Sequence, residues 1–230
     1  MNAKEVQGRS LLYIAVEPDN FSRFTPLPVI VLLHGFGASM TDLVSLSMSF
    51  KPEGYVFIFP NAPMPIQLGP GVSGYAWTPP GDSGADAEDA EERAEEALDT
   101  LFEEVIERYG AEPGNILLGG FSQGGMMTYR CGLSRPDMFA GLVILSSRVP
   151  SPDTIRDRLP EDRSQPIFIS HGTSDMMIPI AGGRESREFL EAEGYTFEYH
   201  EYPMGHEISQ EVLDDLVAWT NNVLPPGGLD

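Results

Sequence analysis

Short, strongly apolar runs recur along the chain, and longer segments of mixed polarity separate them. Continuous runs of valine, isoleucine and leucine are typical of parallel strands that are buried on both faces of a sheet. The last run alternates aromatic and polar residues, which also favours a strand. The pattern predicts strands over Leu11–Val16, Leu27–Leu33, Tyr55–Phe59, Ile116–Gly119, Leu142–Leu145, Ile167–Ser170 and Tyr195–Tyr202.

Helix-like segments lie between these runs. Ala85–Tyr109 is the clearest, because its apolar residues recur at steps of three and four and its acids fall on the opposite face. Three further segments read as helices, over Ser122–Leu133, Ile180–Glu193 and Ser209–Val223. Strands that alternate with helices predict an α/β fold with a mainly parallel sheet and helices on both faces. We expect one domain over residues 1–230.

Two segments interrupt the alternation. Pro60–Ser83 is rich in proline and glycine, and Ser147–Gln165 is polar with three prolines. We expect the first to be a structured loop and not a helix, and the second to be a surface loop between two strands. Loops of this length in a compact domain are often functional. The second is too polar to form the apolar lid that covers the site of a typical lipase.

The charge is strongly negative. The 230 residues carry 35 acids against 14 lysines and arginines, a net charge of −21, and twelve of the acids lie between Asp82 and Tyr109. Such a surface repels phosphate backbones and anionic lipids, so we expect neither nucleic-acid binding nor membrane insertion. The single cysteine, Cys131, excludes an internal disulfide, and Met1–Ser10 lacks the apolar stretch of a signal peptide. These features favour a cytoplasmic protein.

The strongest chemical signal is Gly120–Gly124, which reads Gly-Phe-Ser-Gln-Gly. It follows an apolar strand and opens a helix-like segment, the context that a nucleophile elbow requires. Glycines on both sides of Ser122 remove the β-carbons that would clash in so sharp a bend. The alternative is a glycine-rich turn whose serine only caps the helix.

A serine nucleophile needs a histidine base and a carboxylate that orients it. In α/β-hydrolases these follow the serine in the order acid, then histidine. Asp175 and His206 fit that order, and each comes just after a predicted strand, although His206 could instead cap the following helix. We expect His34 and His171 to satisfy backbone groups at strand ends and His200 to be a half-exposed strand residue.

An oxyanion hole is the third requirement. One N–H normally belongs to the residue after the nucleophile, here Gln123. The glycine-rich segment His34–Ala38 follows an early strand and can supply a second N–H, although alone it reads as an ordinary turn. No metal-ligand spacing of histidine and cysteine is present, so we expect neither metal nor organic cofactor.

Several motifs together resemble the phospholipase/carboxylesterase family of α/β-hydrolases, which includes bacterial carboxylesterases and acyl-protein thioesterases. They occur in family order from about residue 28 to the last helix, so the resemblance covers nearly the whole chain. Phe121–Gly125 is the most specific part. The matching segments are Leu33–Gly37, Phe59–Pro63, Gly119–Gly125, His171–Asp175 with Pro179, and Gly205–His206.

The resemblance implies a role for each matching residue. Ser122 becomes the nucleophile, Asp175 the acid and His206 the base, while the amides of Phe36 and Gln123 form the oxyanion hole. Members commonly have a tryptophan and a nearby aspartate in the loop after the Asn-Ala-Pro segment.

That loop departs from the family pattern here, because Trp77 is followed by Thr-Pro-Pro. We expect Trp77 either to bind substrate or to anchor its loop on the core.

These features predict a serine hydrolase that cleaves short- to medium-chain esters through an acyl-enzyme, acting on small molecules. A thioesterase would share every catalytic residue and is the main alternative. A peptidase is less favoured, since no large cap domain is present, and so is a non-catalytic binding protein, since all three triad positions are filled. We expect a monomer or a homodimer.

The methionines near these motifs suit a soft, adaptable pocket. We expect Met126 and Met127 in the elbow helix to fill the core instead, and Cys131 to be a buried, inert thiol.

Overall fold

A computed structural model describes residues 1–19, 21–22, 26–51, 54–80 and 85–227 of the chain, without the side chains of 85–87. The strands are β1 Asn2–Gln7, β2 Leu12–Glu17, β3 Val29–Leu33, β4 Val56–Pro60, β5 Met64–Gly69, β6 Val72–Ala76, β7 Ile116–Phe121, β8 Phe139–Leu145, β9 Ile167–Gly172 and β10 Glu198–Tyr202. The helices are α1 Ala85–Tyr109, α2 Gln123–Gly132, α3 Pro152–Arg156, α4 Ile180–Ala192 and α5 Gln210–Val223, with a 3-10 helix at Val44–Ser49.

Eight strands form one sheet in the order β1-β2-β4-β3-β7-β8-β9-β10. The six from β4 to β10 are parallel, whereas β1 and β2 pair antiparallel at one edge. The chain moves outward from β3 in opposite directions, to β4 on one side and to β7 on the other. In open α/β sheets ligands bind at the carboxyl ends of strands beside such a reversal, so the loops after β3 and β7 mark the expected site.

Apolar side chains pack on both faces of this sheet. Helices α1, α2 and α4 cover one face, where Phe102 packs against Phe139 of β8 at a ring distance of 5.1 Å. Helix α5 covers the other face, where Trp219 packs against Phe168 at a ring distance of 5.7 Å. The predicted α/β class, the mainly parallel sheet and the helices on both faces are therefore confirmed. None of the helices in the described ranges is long and apolar enough to span a membrane.

The two segments that interrupt the alternation contain more regular secondary structure than predicted. Pro60–Ser83 contains the antiparallel hairpin β5–β6, so the prediction of a loop was wrong over Met64–Ala76, and its last residues lie outside the described ranges. The many prolines and glycines in this segment obscured the alternation of side chains that is typical of strands. Proline is compatible with this hairpin because each of its two strands is an edge strand. Ser147–Gln165 includes the short helix α3, and β1 was not predicted because its exposed residues are mostly polar.

Two acids of α1 depart from the predicted pattern, in which the acids lie on the face opposite the apolar stripe. Glu95 and Glu104 are each only 8% exposed. Glu95 binds Arg130 and Arg158, and Glu104 accepts a hydrogen bond of 2.9 Å from the Tyr13 hydroxyl. Burial alone would raise the pKa of Glu95, but its hydrogen bonds and charge interactions with the two arginines lower that pKa below its usual value.

Candidate active site

Ser122 lies at the sharp turn between β7 and α2. Its φ is 55° and its ψ is −117°, a strained conformation for a residue with a side chain. A Cβ added to Gly120 would lie 2.2 Å from the carbonyl carbon of Gly124, and one added to Gly124 would lie 2.2 Å from the Leu33 carbonyl oxygen. Only glycine fits at these two positions, and the absence of side chains lets the turn pack directly against the end of β3.

Asp175 and His206 form a hydrogen-bonded pair at the same edge of the sheet. The His206 Nδ1–H donates to Asp175 Oδ2 at 2.7 Å. The other oxygen, Oδ1, accepts the N–H groups of Met177 and Ile178, each at 2.9 Å. Because the Asp175 side chain is fully buried and fully hydrogen-bonded, it holds the imidazole in one orientation and leaves Nε2 free to act as a base.

The imidazole lies beside the elbow. The rings of His206 and Phe121, the residue that precedes Ser122, are 4.7 Å apart between centroids. The three residues selected from the sequence as nucleophile, acid and base lie in the loops that follow β7, β9 and β10, at the same edge of the sheet. The side chain of His206 is 18% exposed, so a substrate has access to it.

The loop after β3 packs against Ser122. A Cβ added to Gly35 would lie 3.3 Å from Ser122 Cβ, which shows how closely this backbone approaches the turn. The next N–H, that of Phe36, has no backbone acceptor among the described residues. Gln123 is the first residue of α2, where N–H groups have no intrahelical acceptor. Both amides are thus available to an oxygen bound near Ser122, while the Phe36 side chain is 41% exposed.

Buried His34 holds this loop in place through hydrogen bonds of both ring nitrogens. Its Nδ1–H donates to the Gly35 carbonyl oxygen at 2.7 Å, and its Nε2 accepts the Ala62 N–H at 3.0 Å. Asn61 accepts the Met40 N–H at 2.7 Å, so the Asn-Ala-Pro segment also supports the loop. Burial lowers the pKa of His34 below its ordinary value, although its bond to Gly35 opposes this effect, and the ring stays neutral.

Trp77 and the side chain of Gln123 link the hairpin to the elbow. The Trp77 indole N–H donates to the His34 carbonyl oxygen at 2.9 Å, and its backbone N–H donates to Gln123 Oε1 at 2.8 Å. The Gln123 amide in turn donates to the Thr78 carbonyl oxygen at 3.0 Å. Trp77 is only 1% exposed, so the geometry favours loop anchoring, and direct substrate binding by this residue stays a prediction. Sequence reasoning missed the role of the Gln123 side chain.

The hairpin is attached to the loop after β3, residues 34–38, through backbone hydrogen bonds. The Gly37 N–H donates to the Tyr75 carbonyl oxygen and the Tyr75 N–H to the Ala38 carbonyl oxygen, both at 2.9 Å. Gly74 is essential to this contact, because a Cβ there would lie 2.0 Å from the Gly37 carbonyl oxygen. The hairpin therefore holds the Phe36 amide in place.

We expect Gly74→Ala to displace the loop after β3 and so to lower kcat. Its backbone clash is of the kind that costs about 1–3 kcal/mol of stability. Initial rates on p-nitrophenyl butyrate and thermal unfolding measure the two effects. Gly69→Ala on the same hairpin is the matched control, because nothing lies within 4 Å of its added Cβ. Equal kcat for the two variants would contradict the role given to the hairpin.

His34 makes stability depend on pH. Its pKa is lowered in the folded chain, whereas an unfolded histidine has a value of about 6.5. Below about pH 6.5 the unfolded chain therefore binds more protons, and the free energy of unfolding decreases as the pH falls. We expect His34→Gln, which keeps an acceptor for the Ala62 N–H, to reduce this decrease. Urea unfolding at pH 8.0 and 5.5 tests this.

The matched control for that experiment is His200→Gln, since His200 is half-buried in β10. Its replacement also removes one histidine but leaves the His34 contacts in place, so it separates the effect of His34 from the loss of any imidazole. A His34→Gln variant that loses as much stability on acidification as the parent would contradict the role of His34.

A cavity of about 200 Å³ opens beside the elbow. Its lining includes Gln123, Thr78 and Met126, whose N–H donates to the Ser122 carbonyl oxygen at 3.2 Å. Met126 is half-buried here, so the prediction that it fills the core was wrong, whereas Met127 is 2% exposed and belongs to the core as predicted. Arg130 and Arg148 contribute polar surface to the cavity.

The remaining sequence candidates lie outside the group formed by Ser122, Asp175 and His206. The Nε2–H of buried His171 donates to the Ile178 carbonyl oxygen at 2.8 Å, as expected for a histidine that satisfies a loop backbone group. Cys131 is fully buried, and burial raises the pKa of its thiol. Within the described residues, no group of three or more histidine, cysteine, aspartate or glutamate side chains is arranged to hold a metal ion.

The chain is similar to proteins of known class over most of its length. The sequence profile of the Phospholipase/Carboxylesterase family matches residues 22–224. Acyl-protein thioesterase 1 of Emericella nidulans is 31% identical over 217 residues, which cover 85% of this chain and 90% of that protein. Carboxylesterase SOBER1 of Arabidopsis thaliana is 30% identical over 202 residues, covering 83% and 88%. The crystal structure of esterase PE8 matches with a TM-score of 0.78 at 25% identity, covering 96% and 98%.

Proposed function

The chain belongs to the phospholipase/carboxylesterase family of α/β-hydrolases, and we propose that it is a serine esterase that cleaves short- to medium-chain carboxylic esters. Ser122 is the nucleophile, His206 the general base and Asp175 the acid that orients it. The amides of Phe36 and Gln123 form the oxyanion hole. The pair of Asp175 and His206, held at 2.7 Å beside the strained Ser122 turn, supports this proposal most directly.

The reaction proceeds in two acyl-transfer steps. His206 Nε2 takes the Ser122 proton as the hydroxyl oxygen attacks the ester carbonyl, and the two amides stabilise the tetrahedral oxyanion. His206 then returns the proton to the leaving alcohol. Water, activated by the same imidazole, releases the acid from Ser122. Asp175 stays ionised and stabilises the imidazolium formed in each step.

The cavity beside Gln123 supports a limit on substrate size. An apolar cavity of about 150 Å³ accommodates benzene, so by volume a cavity of about 200 Å³ admits a group of similar or slightly larger size, although Glu91, Arg130 and Arg148 make part of this lining polar. We propose that it receives part of the substrate and that long acyl chains are hydrolysed poorly. A series of p-nitrophenyl esters from acetate to palmitate tests this, with kcat/KM expected to peak at butyrate to octanoate. A maximum at palmitate would contradict it.

A thioesterase is the second candidate, because several relatives carry that name. The same residues would attack a thioester, whose thiolate leaves without needing a proton from His206. Matched butyryl oxygen ester and thioester substrates separate the two activities. We expect a higher kcat/KM on the oxygen ester, and a strong preference for the thioester would favour the alternative.

The substrate is a small ester, and the protein acts without a metal or organic cofactor in this proposal. We further propose a cytoplasmic location, which the single buried thiol of Cys131 supports. A monomer or a homodimer is expected, and sedimentation equilibrium measures which of them forms.

A further inference from the structure

A second histidine, His171, is buried next to the proposed acid and takes no part in the acyl transfer. It is in β9, four residues before Asp175, and its side chain is completely buried. A carbonyl oxygen only accepts hydrogen bonds, so the 2.8 Å contact with the Ile178 carbonyl fixes the His171 proton on Nε2. Nδ1 then carries the lone pair and has no partner among the described residues.

Helix α4 holds the His171 ring in place. A Cβ added to Gly183 would lie 2.6 Å from His171 Nδ1 and 2.9 Å from its Cγ. The backbone of the first turn of α4 therefore packs directly on the ring, and no side chain intervenes. The imidazole is confined between β9 and α4, so its Nε2–H has one fixed direction.

That N–H holds the turn that carries the acid. Ile178 is bound on two sides, since its N–H donates to Asp175 Oδ1 at 2.9 Å and its carbonyl oxygen accepts from His171. His171 Nε2 also lies 3.6 Å from Asp175 Oδ2, the oxygen that binds His206. At that distance there is no hydrogen bond, but the N–H dipole stabilises a negative charge on this oxygen.

We propose that His171 is a positioning residue, a neutral hydrogen-bond donor that fixes the turn from Asp175 to Ile178 so that Asp175 Oδ2 is directed at His206. This inference rests on the proposed function of the Ser122, Asp175 and His206 set. Without the donor, the turn is free to shift, and a displacement of about 1 Å in a catalytic arrangement costs on the order of 100-fold in rate.

The test compares His171→Leu with His171→Gln. Leucine removes the donor, whereas the glutamine side-chain amide can place an N–H near the position of Nε2. We expect kcat of His171→Leu on p-nitrophenyl butyrate to fall about 10- to 100-fold and KM to stay within a factor of two. Losses of this size follow when a hydrogen-bond partner that orients a metal-binding histidine is removed. His171→Gln should recover most of kcat. The low-field proton resonance of the His206 Nδ1–H, observed by NMR, should broaden or shift only in the leucine variant.

Ser170→Ala is the matched structural control, because Ser170 is fully buried on the same strand and its hydroxyl has no partner in the described part of the chain. It should keep kcat even if it changes the unfolding temperature. A folded His171→Leu variant with parental kcat overturns the inference, and so does a His171→Gln variant as impaired as His171→Leu. If His171→Leu does not fold, Gly183→Ala decides, because its methyl group displaces the ring and should lower kcat; a parental kcat there also overturns it.

The proposed function fails independently of this inference. If Ser122→Ala keeps its activity, the acyl-enzyme mechanism is wrong whatever the His171 variants do. If Ser122→Ala is inactive while the His171 variants keep kcat, only the positioning role is wrong.

Discussion

Ser122→Ala is expected to reduce kcat on p-nitrophenyl butyrate about 10⁴- to 10⁶-fold, the range seen when the nucleophile of a comparable triad is removed. The oxyanion amides and the histidine remain, but no covalent acyl-enzyme forms. Fluorophosphonate labelling should disappear at the same time. The unfolding temperature should stay the same, because the structure records no hydrogen bond of the Ser122 hydroxyl that alanine would lose and the strained φ of 55° is unchanged.

The control for this prediction is a serine far from the elbow. The hydroxyl of Ser10 donates to the Ala97 carbonyl oxygen at 2.7 Å at the antiparallel edge of the sheet, and Ser10→Ala should keep both kcat and labelling. If Ser122→Ala hydrolyses the ester at more than a hundredth of the parental rate, another nucleophile acts, and the assignment of the Gly120–Gly124 turn is wrong.

The elbow turn could be predicted from the sequence because the glycines that define its motif also determine its local geometry. The turn from β7 into α2 needs glycine at positions 120 and 124, where any β-carbon would clash with the backbone. Asp175 and His206 follow strands that end at the same edge of the sheet. His206 is distinguished from His34 and His171 because it is the histidine that comes after both Ser122 and Asp175 in the chain. Parallel topology alone brings these loops together.

The supporting contacts could not be predicted, because they join segments that are distant in the sequence. Gln123 binds Trp77 and Thr78 across more than 40 residues, and nothing in the local pattern of either segment indicates it. The buried position of Glu95 was missed for the same reason. Helical periodicity predicts that an acid on the polar face is exposed to solvent. Glu95 is instead paired with Arg130 of α2 and with Arg158 of the segment after β8, both distant in sequence.

Asp175→Asn is the second variant with a large expected effect, a loss of about 10⁴-fold in kcat with the fold preserved. The asparagine Oδ1 still accepts the N–H groups of Met177 and Ile178, so the turn keeps both of its hydrogen bonds. Its NH₂ group, however, takes the place of Oδ2 and faces His206 Nδ1. Two donors cannot share that contact, so the imidazole proton moves to Nε2, where it blocks proton transfer from Ser122.

This prediction separates a catalytic role of the carboxylate from a structural one. Asp175→Ala should lose the turn as well as the charge, so its unfolding temperature should fall while that of Asp175→Asn stays near the parental value. Asp157→Asn, at an exposed position after α3, is the control for removal of one negative charge and should keep full activity. An Asp175→Asn variant that keeps a tenth or more of the parental kcat would show that the carboxylate only shapes the turn, because a base held in the wrong tautomer cannot sustain that rate.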